Sequence, residues 1–330
     1  MSARYLLWMR RLGGPALAIV LFAVAVRALR AELGGQGVGD VLEQLAALPS
    51  WRIALALLLT AASYGALTGY DALSLRYVRR PLPYRRIALA SFVNYAVSQT
   101  LGFPLLTGGS VRYRLYSGWG LGPAQVASVV AFASLSFWLG VLLLGGLGLL
   151  LGAPRELAAM LRLSPPAQRI VGLAALSVVG AYLWWTVAGS RILRLGTWRL
   201  LRPSARLGLS QLAVAAVDWM LAASVLYVLL PPSLGISFPA FLAVFLVAFV
   251  SGIASNVPAG LGVFETVFLL LLPEDASHAA VLGALVAYRA LYYLLPLLVA
   301  LTLLGAHEVR LARRERTGLP ETRTPPIGEA

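Results

Sequence analysis

The sequence has no cysteine, and although 27 of its residues are basic it has no lysine, so every one of those cations is an arginine. Without cysteine there is no disulfide scaffold and no thiolate to hold zinc or an iron–sulfur cluster. Histidine occurs only at positions 278 and 307, too few for a metal or acid–base cluster. Acids are scarce as well, 13 in 330 residues, which leaves a net charge of +14. Charged residues make up 12% of the chain. Soluble domains carry roughly 25%, so this chain has too few polar side chains to cover a water-facing globule. That excludes a cytosolic enzyme and a disordered protein.

What is present is apolar: 59% of residues are hydrophobic and the mean hydropathy is +0.81. The composition is that of a polytopic membrane protein. The basic balance does not point to nucleic acid, because the arginines cluster in short segments between hydrophobic runs, as positive-inside loops do. The first apolar run follows Arg4, Arg10 and Arg11 and is succeeded by Arg27 and Arg30 without a small-residue cleavage site. It reads as a retained span. No metal, nucleotide or redox motif is present, so no cofactor is expected, and without a phosphate-binding P-loop no ATP-driven step is expected either.

Full spans are expected at 12–31, 53–75, 123–151, 170–189, 208–230 and 278–305. Segments 76–86 and 191–206 each carry five arginines and no acid, which assigns both to the cytoplasm, together with the two termini. Segment 31–52 and the Glu274–Asp275 pair suit the outside. Three full spans between the two arginine clusters would put them on opposite sides. The conflict disappears if 87–122 enters and leaves on the cytoplasmic side as a re-entrant hairpin. The same count makes 238–272 re-entrant from the outside. Residues 92–99 (FVNYAVSQ) and 249–256 (FVSGIASN) share the pattern F-V-x-x-x-x-S-[Q/N], and both run into Gly/Pro stretches. The expectation is therefore an all-α fold of six full transmembrane helices plus two opposed re-entrant hairpins, arranged as an inverted repeat. Its parts are a first repeat over 1–151, an extracytoplasmic linker over 152–169, a second repeat over 170–305 and a disordered cytoplasmic tail over 306–330.

Pro104 with Gly108 and Gly109 in the first hairpin, and Pro258 with Gly260 in the second, would break helices and free backbone N–H groups for an anion such as phosphate. An ordinary kinked helix packed in the bundle is the plainer alternative. The stretches SFVNYAVSQTLGFPLLTGGSVRYRLYSGWGL and NVPAGLGVFE resemble the membrane domain of the bacterial lysyl-phosphatidylglycerol synthase/flippase family, the multiple peptide resistance factors. The resemblance covers 50–305 and implies movement of aminoacylated phosphatidylglycerol from the inner to the outer leaflet. In that family a separate soluble domain makes the lipid. Here the polar, Pro-rich segment after Gly305 is too short for such a domain, so no aminoacyl transfer is expected of this chain.

Ionisable groups inside the bilayer are costly enough to weigh singly. Asp218 and Arg289 fall near the centres of their spans, and the two can be read as a structural pair or as a substrate or gating site. Arg112 and Arg114 follow the first tip and Glu265 the second. Together they offer both signs to an amino-phospholipid head group, although the arginines could equally face the cytoplasm. Asp71, near the inner end of its span, is either part of the site or a solvated, loop-paired acid. Tyr292 and Tyr293 read as interfacial anchors or bundle packing. The candidate substrate-binding set is Asp71, Asn94, Gln99, Gly108, Gly109, Arg112, Arg114, Asp218, Asn256, Gly260, Glu265 and Arg289. The expected function is phospholipid translocation in the bacterial inner membrane, with a separate lipid-modifying enzyme as a possible partner. The alternative is a non-transporting accessory subunit of a membrane glycosyltransferase or lipid-synthesis enzyme.

Overall fold

The computed structural model describes residues 48–101, 104–152, 164–189, 192–195, 198–255, 257–272 and 278–317. The expected first span at 12–31, Asn256, the Glu274–Asp275 pair and the end of the C-terminal tail lie outside them. The described elements are helices α1 (Ser50–Tyr77), α2 (Tyr84–Leu101), α3 (Pro104–Gly118), α4 (Pro123–Gly152) and α5 (Pro165–Ala188). A two-stranded hairpin follows, β1 (Ile192–Leu195) and β2 (Trp198–Leu201), then α6 (Ala205–Leu229), α7 (Phe238–Ala254), α8 (Val263–Leu270), α9 (His278–Tyr288) and α10 (Leu295–Thr317). A short 3-10 turn at Pro258–Gly260 separates α7 from α8, and a π-helical turn at Arg289–Leu294 joins α9 to α10. The antiparallel β-hairpin, inside an arginine-rich segment, is the one departure from an all-helical chain among these residues.

Among the described residues, five helices are long and apolar enough to cross a membrane: Ser50–Tyr77, Pro123–Leu151, Pro165–Ala188, Ala205–Leu229 and Ala280–Ala306. At 28 residues α1 is about 42 Å long, more than the roughly 30 Å hydrocarbon layer. Their starts are marked in the sequence. Proline opens α3, α4 and α5 where its missing N–H costs nothing, and Ser204 caps α6 by accepting from the Leu207 N–H. Large apolar side chains such as Leu58, Ile170, Trp184 and Leu270 stay exposed on the outer surface. On a water-soluble protein such a surface would drive association; against acyl chains it is ordinary.

Specific contacts fix which ends lie together. The Tyr77 hydroxyl at the end of α1 donates to the Leu201 carbonyl at 2.8 Å, bringing the two arginine-rich segments to one end of the bundle. At the other end Arg52 donates to the Leu230 carbonyl at 3.1 Å, so α1 and α6 run antiparallel over their full length. Close approach there needs small residues: a Cβ on Gly69 would lie 2.9 Å from Val214. Helix α2 starts at the arginine-rich end and α3 returns to it, with Arg86 stacked over the Trp119 ring at 5.7 Å. Helices α7 and α8 do the same from the opposite end. Tyr227 holds the Ile236 carbonyl at the entry, and the ring pairs Phe241–Phe268 and Phe245–Phe264 zip the two helices antiparallel. The turn between α7 and α8 packs against α2.

Candidate functional site

Inside these helices lies a cavity of about 560 Å³. Its polar wall includes Asn94, Gln99, Arg112, Asp218 and Arg289, and its apolar wall includes Phe137, Trp138 and Phe249. Two arginines carry fixed charge to it, and each is tied to a carboxylate.

The first pair rests on α3 and α1. Arg112 Nε and Nη2 donate to Asp71 Oδ1 at 2.9 and 2.7 Å. The Tyr116 hydroxyl donates to Asp71 Oδ2 at 3.0 Å, and Arg112 Nη2 donates to the Tyr95 hydroxyl at 2.9 Å. Asn94 completes the ring: its amide donates to the Gly108 carbonyl at 2.7 Å, and its oxygen accepts from Arg112 at 3.2 and 3.3 Å. The helices can close this tightly because position 108 is glycine; a Cβ there would sit 2.8 Å from the Asn94 amide nitrogen. Both charged side chains are buried, and charge-assisted hydrogen bonds offset the loss of water.

The second pair rests on α8 and the π turn. Arg289 Nε and Nη2 donate to Glu265 Oε1 at 3.0 and 2.6 Å. Backbone groups join this pair. Arg289 Nη1 donates to the Ala259 carbonyl at 3.1 Å, and the Gly262 N–H donates to Glu265 Oε2 at 2.8 Å. Both fasten the 257–262 turn, where Ala259, Gly260 and Gly262 all have positive φ. The Arg289 guanidinium also stands over the Tyr293 ring at 4.9 Å.

Asp218 is held differently. Its oxygens accept from the Ser63 hydroxyl at 3.2 Å and the Tyr70 hydroxyl at 3.0 Å. The Ser63 hydroxyl is in turn 2.9 Å from the Tyr292 hydroxyl.

Of the twelve expected residues, Asn94, Gln99, Arg112, Asp218, Gly260 and Arg289 line the cavity. Asp71, Gly108 and Glu265 stand directly behind that wall. Gly109 and Arg114 are half-buried on α3 and do not line it. Asn256 is outside the described residues. Three expectations change. Glu265, not Asp218, is the ion-pair partner of Arg289, because the chain folds back at 257–262 and brings α8 beside the π turn. Asp71 is fully buried instead of solvated, since α3 returns along α1 and delivers Arg112 to it. Gly108 and Gly109 lie within α3, so their own N–H groups are not presented by an irregular tip. The sequence reading passed over Ser63, Tyr70 and Tyr95 and treated Tyr292 as packing. Ser63 and Tyr70 are seven residues apart on α1, a spacing that puts both on one helix face and could have been noticed.

No family model matches the chain. An uncharacterized protein of Synechocystis is 40% identical over 307 residues, covering 93% of this chain and 95% of that protein. The inner membrane protein YbhN of Escherichia coli is 35% identical over 234 residues, 70% of this chain and 72% of YbhN. A phosphatidylglycerol lysyltransferase of Staphylococcus aureus is 27% identical over 293 residues, 87% of this chain but only 33% of the enzyme.

Proposed function

The chain belongs to the family of the inner membrane protein YbhN and is related to the membrane region of the phosphatidylglycerol lysyltransferases, and on that premise we propose that it moves phospholipids between the leaflets of the bacterial inner membrane. The observation that carries this reading is the cavity: about 560 Å³ of partly polar space, enclosed by apolar helices and bearing the arginine of each ion pair. That volume is in the range of small-ligand sites, roughly 300–1,000 Å³. It accommodates a head group while the acyl chains stay in the bilayer. Arg112 and Arg289, with Asn94, Gln99 and the backbone around Gly260, form the face for a phosphate. The printed name of the lysyltransferases makes phosphatidylglycerol or its aminoacyl ester the first head group to try.

In this reading α2–α3 and α7–α8 are re-entrant hairpins, the first from the cytoplasm and the second from outside. Support comes from the helices themselves. Each hairpin returns to the end of the bundle it left, and neither α2 nor α7 is among the five helices fit to cross alone. The irregular backbone at 257–262 packs against α2, which keeps it away from lipid. The shared F-V-x-x-x-x-S-[Q/N] octet runs to the tip end of α2 and of α7, as an inverted repeat requires.

The test is lipid movement in vesicles. The purified chain, reconstituted into phosphatidylethanolamine/phosphatidylglycerol vesicles, is expected to accelerate transfer of labelled phosphatidylglycerol or its lysyl ester between leaflets. Ser134→Phe, which adds a ring to the cavity wall on α4, is expected to slow it. Inactivity of the parent chain on both lipids would favour the accessory-subunit reading.

A further inference from the structure

Among the described residues, five acidic or basic side chains surround the cavity or stand directly behind its wall: Asp71, Arg112, Asp218, Glu265 and Arg289. Four are neutralised in two ion pairs. Asp218 is the odd one. It is buried, and its hydrogen-bond partners among the described residues are hydroxyls. An ionised carboxylate so placed leaves the set at −1, a costly state inside apolar helices unless something cationic joins it.

The partners are of a particular kind. A hydroxyl both donates and accepts, whereas an arginine only donates. With Asp218 ionised, Ser63 donates to it and Tyr292 donates to Ser63. With Asp218 protonated, the carboxyl donates to Ser63 and Ser63 donates to Tyr292. The 2.9 Å Ser63–Tyr292 contact serves in either direction, so each contact of the chain Tyr70–Asp218–Ser63–Tyr292 is kept in both charge states. Tyr292 lies in the π turn, whose displaced carbonyls are taken up from outside the helix: Tyr64 donates to the Tyr292 carbonyl at 3.2 Å. Turns of this kind are frequent at functional sites. Asp218 and Tyr292 both line the cavity, so the chain opens into it.

The other groups facing Asp218 leave its charge to vary. From α1 come Tyr64 and Tyr70, from α2 Tyr95 and from the π turn Tyr292, all phenols. Arg112 and Arg289 share the cavity but are each held by their own acid. Helices α4 and α7 carry no titratable side chain, and Tyr182 of α5 is hydrogen-bonded to Gln211 instead.

We propose that Asp218 is a proton-binding site and that proton exchange there is coupled to the lipid movement inferred above, a coupling that rests on that reading. The step balances simply. The carboxylate takes one proton from the compartment the cavity faces and becomes a neutral carboxyl, and it releases that proton when the cavity faces the other side.

Two measurements separate the site from the coupling. In the first, the full chain in phosphatidylethanolamine/phosphatidylglycerol vesicles is titrated and followed by infrared difference spectroscopy. A protonated-carboxyl band that titrates in the parent chain and is absent from Asp218→Asn is expected. A titrating band unchanged in Asp218→Asn, or no such band, overturns the site. In the second, leaflet asymmetry of a fluorescent phosphatidylglycerol is read under pH gradients of opposite sign. At one proton per lipid, each unit of gradient sets an asymmetry of up to about tenfold, reversing with the gradient. Asp218→Asn is expected to show equal distributions under both gradients, whatever its absolute rate. Transport by the parent chain that ignores the pH gradient, or follows a sodium gradient instead, overturns the proton coupling. A titrating band without any lipid movement supports the site and removes the translocase reading.

Discussion

The two ion pairs are chemically alike and differ in what else they hold. Asp71–Arg112 is closed by side chains: Tyr95, Tyr116 and Asn94 supply its remaining hydrogen bonds, and the Asp71 carboxylate is fully buried. Glu265–Arg289 is closed by backbone, through the Ala259 carbonyl and the Gly262 N–H, and Glu265 keeps 21% of its side chain exposed. The first pair thus locks two regular helices together. The second fastens the irregular turn between α7 and α8. One hairpin is braced, and the other is latched.

This contrast predicts unequal costs. Asp71→Ala or Arg112→Ala strands a fully buried charge and is expected to destabilise the protein by about 3–5 kcal/mol, the largest effect of any change considered. Thermal unfolding in detergent measures it. The double change Asp71→Ala/Arg112→Ala should recover part of the loss, because no charge is left unpaired. Arg289→Ala should cost less, about 1–3 kcal/mol, since Glu265 retains solvent and the Gly262 N–H. Its signature should be local. A cysteine placed at 257, in a chain without native cysteine, is expected to label faster in Arg289→Ala than in the parent. Equal stability losses at both pairs, with no change in labelling, would erase the distinction between brace and latch.

The latch can be probed without touching a charge. Gly260 has φ +65°, and a Cβ there would meet the Gly252 Cα at 3.0 Å. Gly260→Ala therefore combines backbone strain with a backbone clash and is expected to cost about 1–3 kcal/mol. A variant as stable as the parent would mean that the 257–262 turn is free to relax.

Much of this architecture was legible in the sequence because it follows from burial and loop charge. The lengths of the apolar runs were enough to expect a helical membrane protein, and five of the expected spans fall on helices long and apolar enough to cross. The pairing of charges was not legible, for a geometric reason. Asp218 and Arg289 share a depth, and depth is all that counting residues along a span provides. Which acid meets which arginine depends on how far each hairpin arm folds back and how it is rotated, set here by Gly108 against Asn94 and Gly260 against Gly252. The π turn was hidden too, since RALYYL has no proline or glycine to announce it.

The smallest expected effect is the most discriminating for the braced hairpin. Gly108 and Gly109 looked interchangeable in the sequence, both candidates for backbone contact with a phosphate. The structure separates them. A Cβ on Gly108 would press on the Asn94 side-chain amide nitrogen at 2.8 Å, disturbing the residue that steadies Arg112, while a Cβ on Gly109 meets nothing within 4 Å. Both lie inside α3, where alanine is intrinsically favoured over glycine by roughly 0.5–1 kcal/mol. Gly108→Ala should thus destabilise, and Gly109→Ala should leave stability unchanged or raise it by up to about 1 kcal/mol. Lipid transfer by Gly109→Ala decides what the position is for. Parental transfer means that position 109 is plain helix surface, and that the brace acts through Asn94 and Arg112 alone. A loss of transfer in a variant at least as stable as the parent would place a ligand against the 109 backbone.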